Sequence, residues 1–399
     1  LIVGRLLIVT PAQGATAPAI ADIWTLSPLP CKPGLFAGPC ARAYGHAMEW
    51  RTPAEPESLP PEGFTRRDHE AAIAASEANP AFRDWARLAE HYLALDRKGD
   101  AMRACERGLQ DGPTAALHHA RGLTFAALGL RAQALAEFRR AVTLGGWPLM
   151  AMRAAMRMMA ADEDAAPLLA YCDTVTPALR ETAVTRAFRA IALSKLGRHE
   201  EARSLVDLER HVMRIRFDPP EGREAFNRAL AAEILADPPA AREGARVSIN
   251  YRPRLDGPAM AALQAFTRQA MQDYMARREA MGLADILPLP RNPVILQTAT
   301  TVLRRDGRNR QHIHPRGLIS SVYHAQVPEP LRDAGDHRGA LVLGVCDEPA
   351  GGHQGCWGTR HIPAEEGWLT IFPAHVFHDV VPSGIEAPRI SIASDLCPR

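Results

Sequence analysis

The sequence predicts an α+β chain in which an all-α stack of helical repeats precedes an antiparallel β domain. Three observations predict it. Small and large apolar residues recur after 33 residues in the first half. From Asn292 onward, short β-branched runs alternate with Gly, Pro and Asp. Eight of the fifteen histidines fall between His312 and His378, inside that strand-rich half. At 399 residues the chain exceeds what one core usually serves, so two structured parts are expected.

Composition narrows the function classes. Lysine plus arginine is 47 and aspartate plus glutamate is 45, so no charge excess points to nucleic acid or an anionic membrane surface. No run reaches the roughly 20 apolar residues that span a bilayer. The seven cysteines form no C-x-x-C pair and are odd in number, which argues against a disulfide framework or zinc ribbon. A reducing, cytoplasmic location is expected. Cys346 and Cys356, although near the histidines, are expected to be small packed or loop thiols.

Residues 1–66, rich in Pro and Gly and without a sustained period, read as an irregular leader. Within it, LIVGRLLIVTPAQGATAPA has a short apolar core broken by Gly4 and Arg5, and is not expected to direct export. From 67 to 215 the pattern is helical. Trp85, Leu88, Ala89, Tyr92, Ala101, Cys105, Gly108 and Pro113 fall at the spacing of a tetratricopeptide (TPR) repeat. Gly122, Phe125, Gly129, Ala134, Phe138 and Ala141 form a second copy. Ala190, Leu193, Gly197, Ala202 and Val206 form another, and residues 148–182 have the length of one degenerate repeat. Small residues (Ala89, Gly122, Ala190) let paired helices approach, and Tyr92, Phe125 and Leu193 fill the space between them. Each pair leaves an apolar face for the next, which predicts a solenoid with a concave surface. The methionine-rich LMAMRAAMRMMAA (149–161) is read as helix-packing core, with a flexible peptide-binding lining as the alternative.

Residues 216–284 read as a helical connector, with amphipathic helices over 221–237 and 258–282 and a long loop between them. Residues 285–399 carry short runs (VILQTATTVLRR, LISSVYHAQV, GALVLGVC, GWLTIFPA, HDVVP, RISIAS) that predict an antiparallel sandwich or barrel.

Chemistry concentrates in this last part. His312 and His314 are at i and i+2, so on a strand they share a face with Cα atoms about 6.6 Å apart, and Pro315 ends the strand there. Two imidazoles so placed can converge on one metal. A third is offered by His378, which alternation puts on the face of Val376 and Val380, with His375 and Asp379 facing the other way. His375 is then a capping or substrate-side residue. Arg389 and Ser391 are again i and i+2, and a guanidinium fork beside a hydroxyl suits a carboxylate.

AFNRALAAEI, VLRRDG followed by HIHPRGLISSVYH, GWLTIFPAHVFHDVVP and PRISIASDLCP occur here in that order. In this series the chain, over about residues 75 to 399, resembles the iron(II)/2-oxoglutarate-dependent oxygenases that carry TPR repeats before a double-stranded β-helix. Those proteins are distantly similar to prolyl 4-hydroxylases. The resemblance implies an α+β multidomain protein: an N-terminal all-α TPR solenoid, then a C-terminal double-stranded β-helix of jelly-roll or cupin-like form. It implies a dioxygenase, in the usual case a hydroxylase, using Fe(II), O2 and 2-oxoglutarate as co-substrate. His312 looks like the first metal ligand and His378 like the distal one. His314 stands where prolyl-hydroxylase-type enzymes have an aspartate. Arg389 and Ser391 look like the pair holding the far carboxylate of 2-oxoglutarate. The family's S-G-V-Y-Y is here Ser320-Ser321-Val322-Tyr323-His324, so His324 replaces a tyrosine expected at the co-substrate. Ser394 replaces a phenylalanine.

The missing carboxylate leaves choices open. Iron held by three histidines, iron held by two with His314 behind them, and zinc or nickel all suit imidazole. A peptide or protein substrate on the concave helical face is expected, with neither nucleic acid nor membrane as partner. The competing readings are a TPR interaction scaffold whose oxygenase domain is degenerate, motivated by His314 and His324, and a cupin-like metalloenzyme that needs no 2-oxo acid, against which Arg389 and Ser391 argue. Arg308, Arg310, Gln311 and Arg316 flank the expected entrance and are read as solvated loop residues, with acid selection as the alternative.

Overall fold

The computed structural model describes residues 48, 50–51, 66–79, 81–145, 148–237, 246–288, 290, 294–332 and 335–398. Nearly all of the expected leader, with Cys31 and Cys40, lies outside these residues.

Helices fill the first half: 66–77, 85–94, 98–111, 115–127, 131–144, 148–160, 166–174, 177–180, 183–195 and 199–205. They pair closely because small residues sit at the crossings. A Cβ on Gly122 would lie 2.5 Å from the Phe138 ring, and one on Gly108 2.4 Å from Leu117. Asp84, Thr114 and Thr182 cap three helices by accepting from a backbone N–H three residues on. The methionine-rich helix is core: Met152, Met156 and Met159 are buried with Phe138, Leu168, Phe188 and Ile191. The same cluster takes in Ile313, Cys346 and Phe377, so the later helices and the β part share one apolar interior. Phe188 and Phe377 meet edge to face at 5.7 Å.

Among the described residues, ten strands follow chain order: β1 (Trp50–Arg51), β2 (Met213–Arg216), β3 (Val247–Asn250), β4 (Val294–Leu303), β5 (Ile319–Gln326), β6 (Leu341–Leu343), β7 (Arg360–Ile362), β8 (Trp368–Pro373), β9 (His378–Val380) and β10 (Arg389–Pro398). The large sheet runs β1-β4-β10-β5-β8-β2, with β3 also on β4; the small one runs β7-β6-β9. All pairs are antiparallel except β1 with β4.

Alternation along β10 sorts its residues. Ile390, Ile392 and Leu396 join the core under the helices Arg223–Ala236 and Pro258–Ala276. Arg389, Ser391, Ala393 and Asp395 occupy the opposite face. The AFN motif serves the helix-covered side: Tyr323 donates to Asn227 Oδ1 at 2.6 Å. Between the sheets, Leu303, Leu341, Leu343, Ile362, Phe372, Val376 and Val380 pack together.

Three strands fall outside the expected β segment, β1 in the span read as a leader and two further on. Met213–Arg216 lies at the end of the span assigned to repeats and pairs with β8. Val247–Asn250 lies in the span assigned to a loop and pairs with β4. β2 and β3 are four residues long, β1 two, and all lie on a sheet edge, so the partner, more than the local pattern, makes each a strand. β7 (Arg-His-Ile) went unread for the same reason.

Candidate metal and acid-binding site

His312 and His378 form an isolated antiparallel bridge: each backbone N–H donates to the other's carbonyl at 3.0 Å. This pairing carries the small sheet one residue past β9 and sets two imidazoles side by side, with ring centroids 4.1 Å apart. His314 follows after Ile313, which is buried among the helices, so the two flanking histidines lie on the other side. The His314 N–H donates to the Ala374 carbonyl at 3.1 Å, which docks the turn against the end of β8.

All three rings commit Nδ1 elsewhere. His312 Nδ1 donates to the Arg310 carbonyl at 2.7 Å, and His378 Nδ1 to the Val376 carbonyl at 3.0 Å. A carbonyl only accepts, so each Nδ1 carries the proton and each Nε2 a bare lone pair. His314 Nδ1 is bonded to the Asp395 carboxylate. The three ligand nitrogens lie within 4.8 Å of one another, with His314 Nε2 and His378 Nε2 at 3.2 Å. Two ring nitrogens at that distance need a cation between them, either a proton on His314 or a metal ion. With metal–nitrogen bonds of about 2.1 Å, neighbouring ligand atoms sit roughly 3.0–3.4 Å apart. The donor set therefore fits a divalent metal that imidazole suits, iron(II) included.

Electrostatics agree with neutral His312 and His378. Burial lowers His312 to about 4, aided by His314, and holds His378 well below the ordinary imidazole range, aided by His312 and His314. For His314, burial pushes downward, but the charge and hydrogen bond of Asp395 outweigh it and the net shift is upward. Ser320 Oγ donates to the other Asp395 oxygen at 2.6 Å.

Further along β10 lies Arg389, which is 1% exposed. Its Nη2 donates to His324 Nε2 at 2.7 Å, while Nε and Nη1 have no hydrogen-bond partner. Burial without a counter-charge lowers Arg389 to about 10. Burial and Arg389 keep His324 well below its usual value, hence neutral and able to accept. Ser391 is buried and pairs in register with His324. A Cβ on Gly339, whose φ is +74°, would reach 3.5 Å from Arg389 Cδ, so this backbone lies close over the arginine chain. A buried guanidinium with two idle donors calls for an anion.

The structure thus brings His312, His314 and His378 into one cluster and Arg389, Ser391 and His324 into another. Other nearby candidates have structural duties. His375 Nε2 donates to the Leu205 carbonyl at 2.8 Å, tying the β part to a helix end rather than facing a substrate. Asp379 pairs with Arg308 at 3.0 Å. Gln311 bonds Asp347. The thiols of Cys346 and Cys356 reach backbone carbonyls of His353 and His199. Asp395 was missed as a site residue, although alternation from Arg389 and Ser391 along β10 leads straight to it.

Residues 299–395 match the family model described as "Putative 2OG-Fe(II) oxygenase". The matched segment runs from within β4 to within β10 and contains every site residue named above. Iron(II) and 2-oxoglutarate are the cofactors of that family, and the three histidines form a group able to hold a metal. No curated protein matches the chain. Among solved structures, a prolyl-4-hydroxylase from Pseudomonas putida aligns at 20% identity over 48% of this chain and 96% of that one, with TM-score 0.33. The non-heme α-ketoglutarate-dependent epimerase SnoN from nogalamycin biosynthesis aligns at 15% identity over 51% and 82%, TM-score 0.35. HygX from Streptomyces hygroscopicus, with nickel and 2-oxoglutarate bound, aligns at 12% over 47% and 83%, TM-score 0.31. Among the described residues, no helix is long and apolar enough to cross a membrane.

Proposed function

We propose that this protein is an iron(II)- and 2-oxoglutarate-dependent dioxygenase that hydroxylates a peptide, protein or peptide-like substrate. One observation carries the reading: three imidazoles, two of them with bare Nε2 atoms, converge in the same β domain as a buried arginine with two idle donors. Asp395 and Ser391, which pair with Ser320 and His324, mark the two ends. Ser320 and His324 are four residues apart on β5, about 13 Å along the strand. A metal at one end and a guanidinium at the other are suited to a diacid bridging them.

His312, His314 and His378 would hold the metal, and Arg389 would hold the far carboxylate, with Ser391 alongside. Metal and co-substrate together supply the oxidising chemistry. The protein's own part is geometric. The His312–His378 backbone pair fixes two ligands, the apolar residues between the sheets exclude water, and neutral His324 keeps Arg389 turned to one side. The helical hairpins are TPR repeats in this reading, and their concave face presents an extended chain to the site. Their sharing of a core with Ile313 and Phe377 supports such a coupling.

The test is iron-dependent conversion of 2-oxoglutarate to succinate by purified protein. Activity lost in both His378→Ala and Arg389→Ala is the expected result. A protein that forms no succinate with iron and 2-oxoglutarate, in the presence of cell-extract peptides, would instead be a scaffold with a degenerate domain.

A further inference from the structure

We infer that Asp395, held by Ser320, is a positioning residue that makes His314 the charge-compensating ligand of the metal site, so that the missing carboxylate acts through an imidazole. The inference rests on the metal-site reading above and goes beyond it by assigning unlike roles to the three histidines.

The three rings have different partners. His312 and His378 give their Nδ1 protons to uncharged backbone carbonyls, of Arg310 and Val376. His314 alone gives its proton to a carboxylate. Among the described residues, Asp395 is the only acidic group bonded to the set. Three neutral imidazoles would leave a dication uncompensated in a buried place, which is costly. A carboxylate on the far nitrogen fixes the tautomer, presents Nε2 to the metal and makes the ring a more basic ligand.

Asp395 is itself fixed at both oxygens, one by His314 Nδ1 and the other by Ser320 Oγ at 2.6 Å. Asp395 and Ser320 are register partners on β10 and β5, so the sheet ladder sets their separation. Because Asp395 shares its β10 face with Arg389 and Ser391, one strand face supplies both the acid-binding end and the charge behind the metal end.

Cobalt(II) is the probe. Full-length protein is titrated with cobalt(II) against a competing chelator, and the visible d–d spectrum of the bound ion is recorded. Asp395→Ala is expected to weaken cobalt affinity by about 10- to 100-fold and to shift the spectrum. Asp395→Asn, which keeps an acceptor for the ring but not the charge, is expected to fall between. Ser320→Ala should give a smaller loss in the same direction. A spectral shift separates a change at the ligand from a general loss of stability. Far-UV circular dichroism of the metal-free variants reports folding; if Asp395→Ala is unfolded, Asp395→Asn and Ser320→Ala decide. Wild-type affinity and spectrum in the folded variants, together with loss of binding in His378→Ala, overturn this inference and leave the metal site standing. Failure of the unmodified protein to bind cobalt at all overturns both.

Discussion

His312 and His378 exchange backbone hydrogen bonds in both directions at 3.0 Å, so the small sheet itself aligns two of the three imidazoles. This makes the candidate metal site a property of the folded sheet. It also ties metal binding to stability, because ligands joined only by folding bind nothing comparable in the unfolded chain.

Divalent metal should therefore raise the melting temperature of the protein. At a free metal concentration one hundred times Kd, the gain is about 2.7 kcal/mol. Thermal melts with and without cobalt(II) or zinc(II) measure it. His378→Ala should lose most of the increment, and an equal increment in that variant would place the metal elsewhere.

Arg389 sets stability against binding. A buried guanidinium without a carboxylate is costly, and replacing such groups by apolar ones is often neutral or stabilising by about 1–4 kcal/mol. Arg389→Met should accordingly leave the ligand-free protein no less stable in urea. The same change should abolish stabilisation by 2-oxoglutarate. Arg389→Lys, which keeps charge but loses the fork, should weaken that effect without restoring stability. A strongly destabilised Arg389→Met would show that the arginine is a structural group.

Acid should weaken the fold through buried histidines. Burial lowers His119 and His211 to about 4 and His375 to about 3, against 6.5 for a free imidazole. The unfolded chain then takes up protons that the folded one refuses. Stability from these groups is full above pH 6.5 and declines as pH falls, down to the folded values. Urea melts of the metal-free protein between pH 7.5 and about 4.5 should show this decline, to which buried His312, His324 and His378 add and which Glu90, raised to about 7 by burial, opposes. His375→Gln keeps a donor for the Leu205 carbonyl and should flatten the slope; an unchanged slope would exonerate His375.

Gly122 tests the helical packing. A methyl group there meets the Phe138 ring at 2.5 Å. Gly122→Ala should cost about 1–3 kcal/mol by overpacking, despite the better helix propensity of alanine. Adding Phe138→Leu should recover part of the loss. A neutral Gly122→Ala, measured by denaturant melts, would mean that the helices move apart freely at this crossing.

Much of the site was legible in the sequence because β alternation is strict. His312 with His314, and Arg389 with Ser391, declare shared faces at a spacing of two. The choice of His378 over His375 follows from the same rule; in the structure His375 Nε2 donates to the Leu205 carbonyl. Asp395 obeys the rule too, four residues beyond Ser391 on the same face. The helical crossing at Gly122 was legible because a small residue recurs at that repeat position, whereas the one at Gly108 came from the structure.

Tertiary structure decided the rest. β2, β3 and β7 are short strands whose pattern says little until a partner supplies the ladder. That His314 bonds Asp395, and that His324 turns its bare nitrogen to Arg389, depends on strand register, which no local pattern encodes. Nor does sequence show that Ile313 and Phe377 lie in one core with Met152 and Phe188. Local spacing determines which face a side chain takes; only long-range pairing determines what waits on that face.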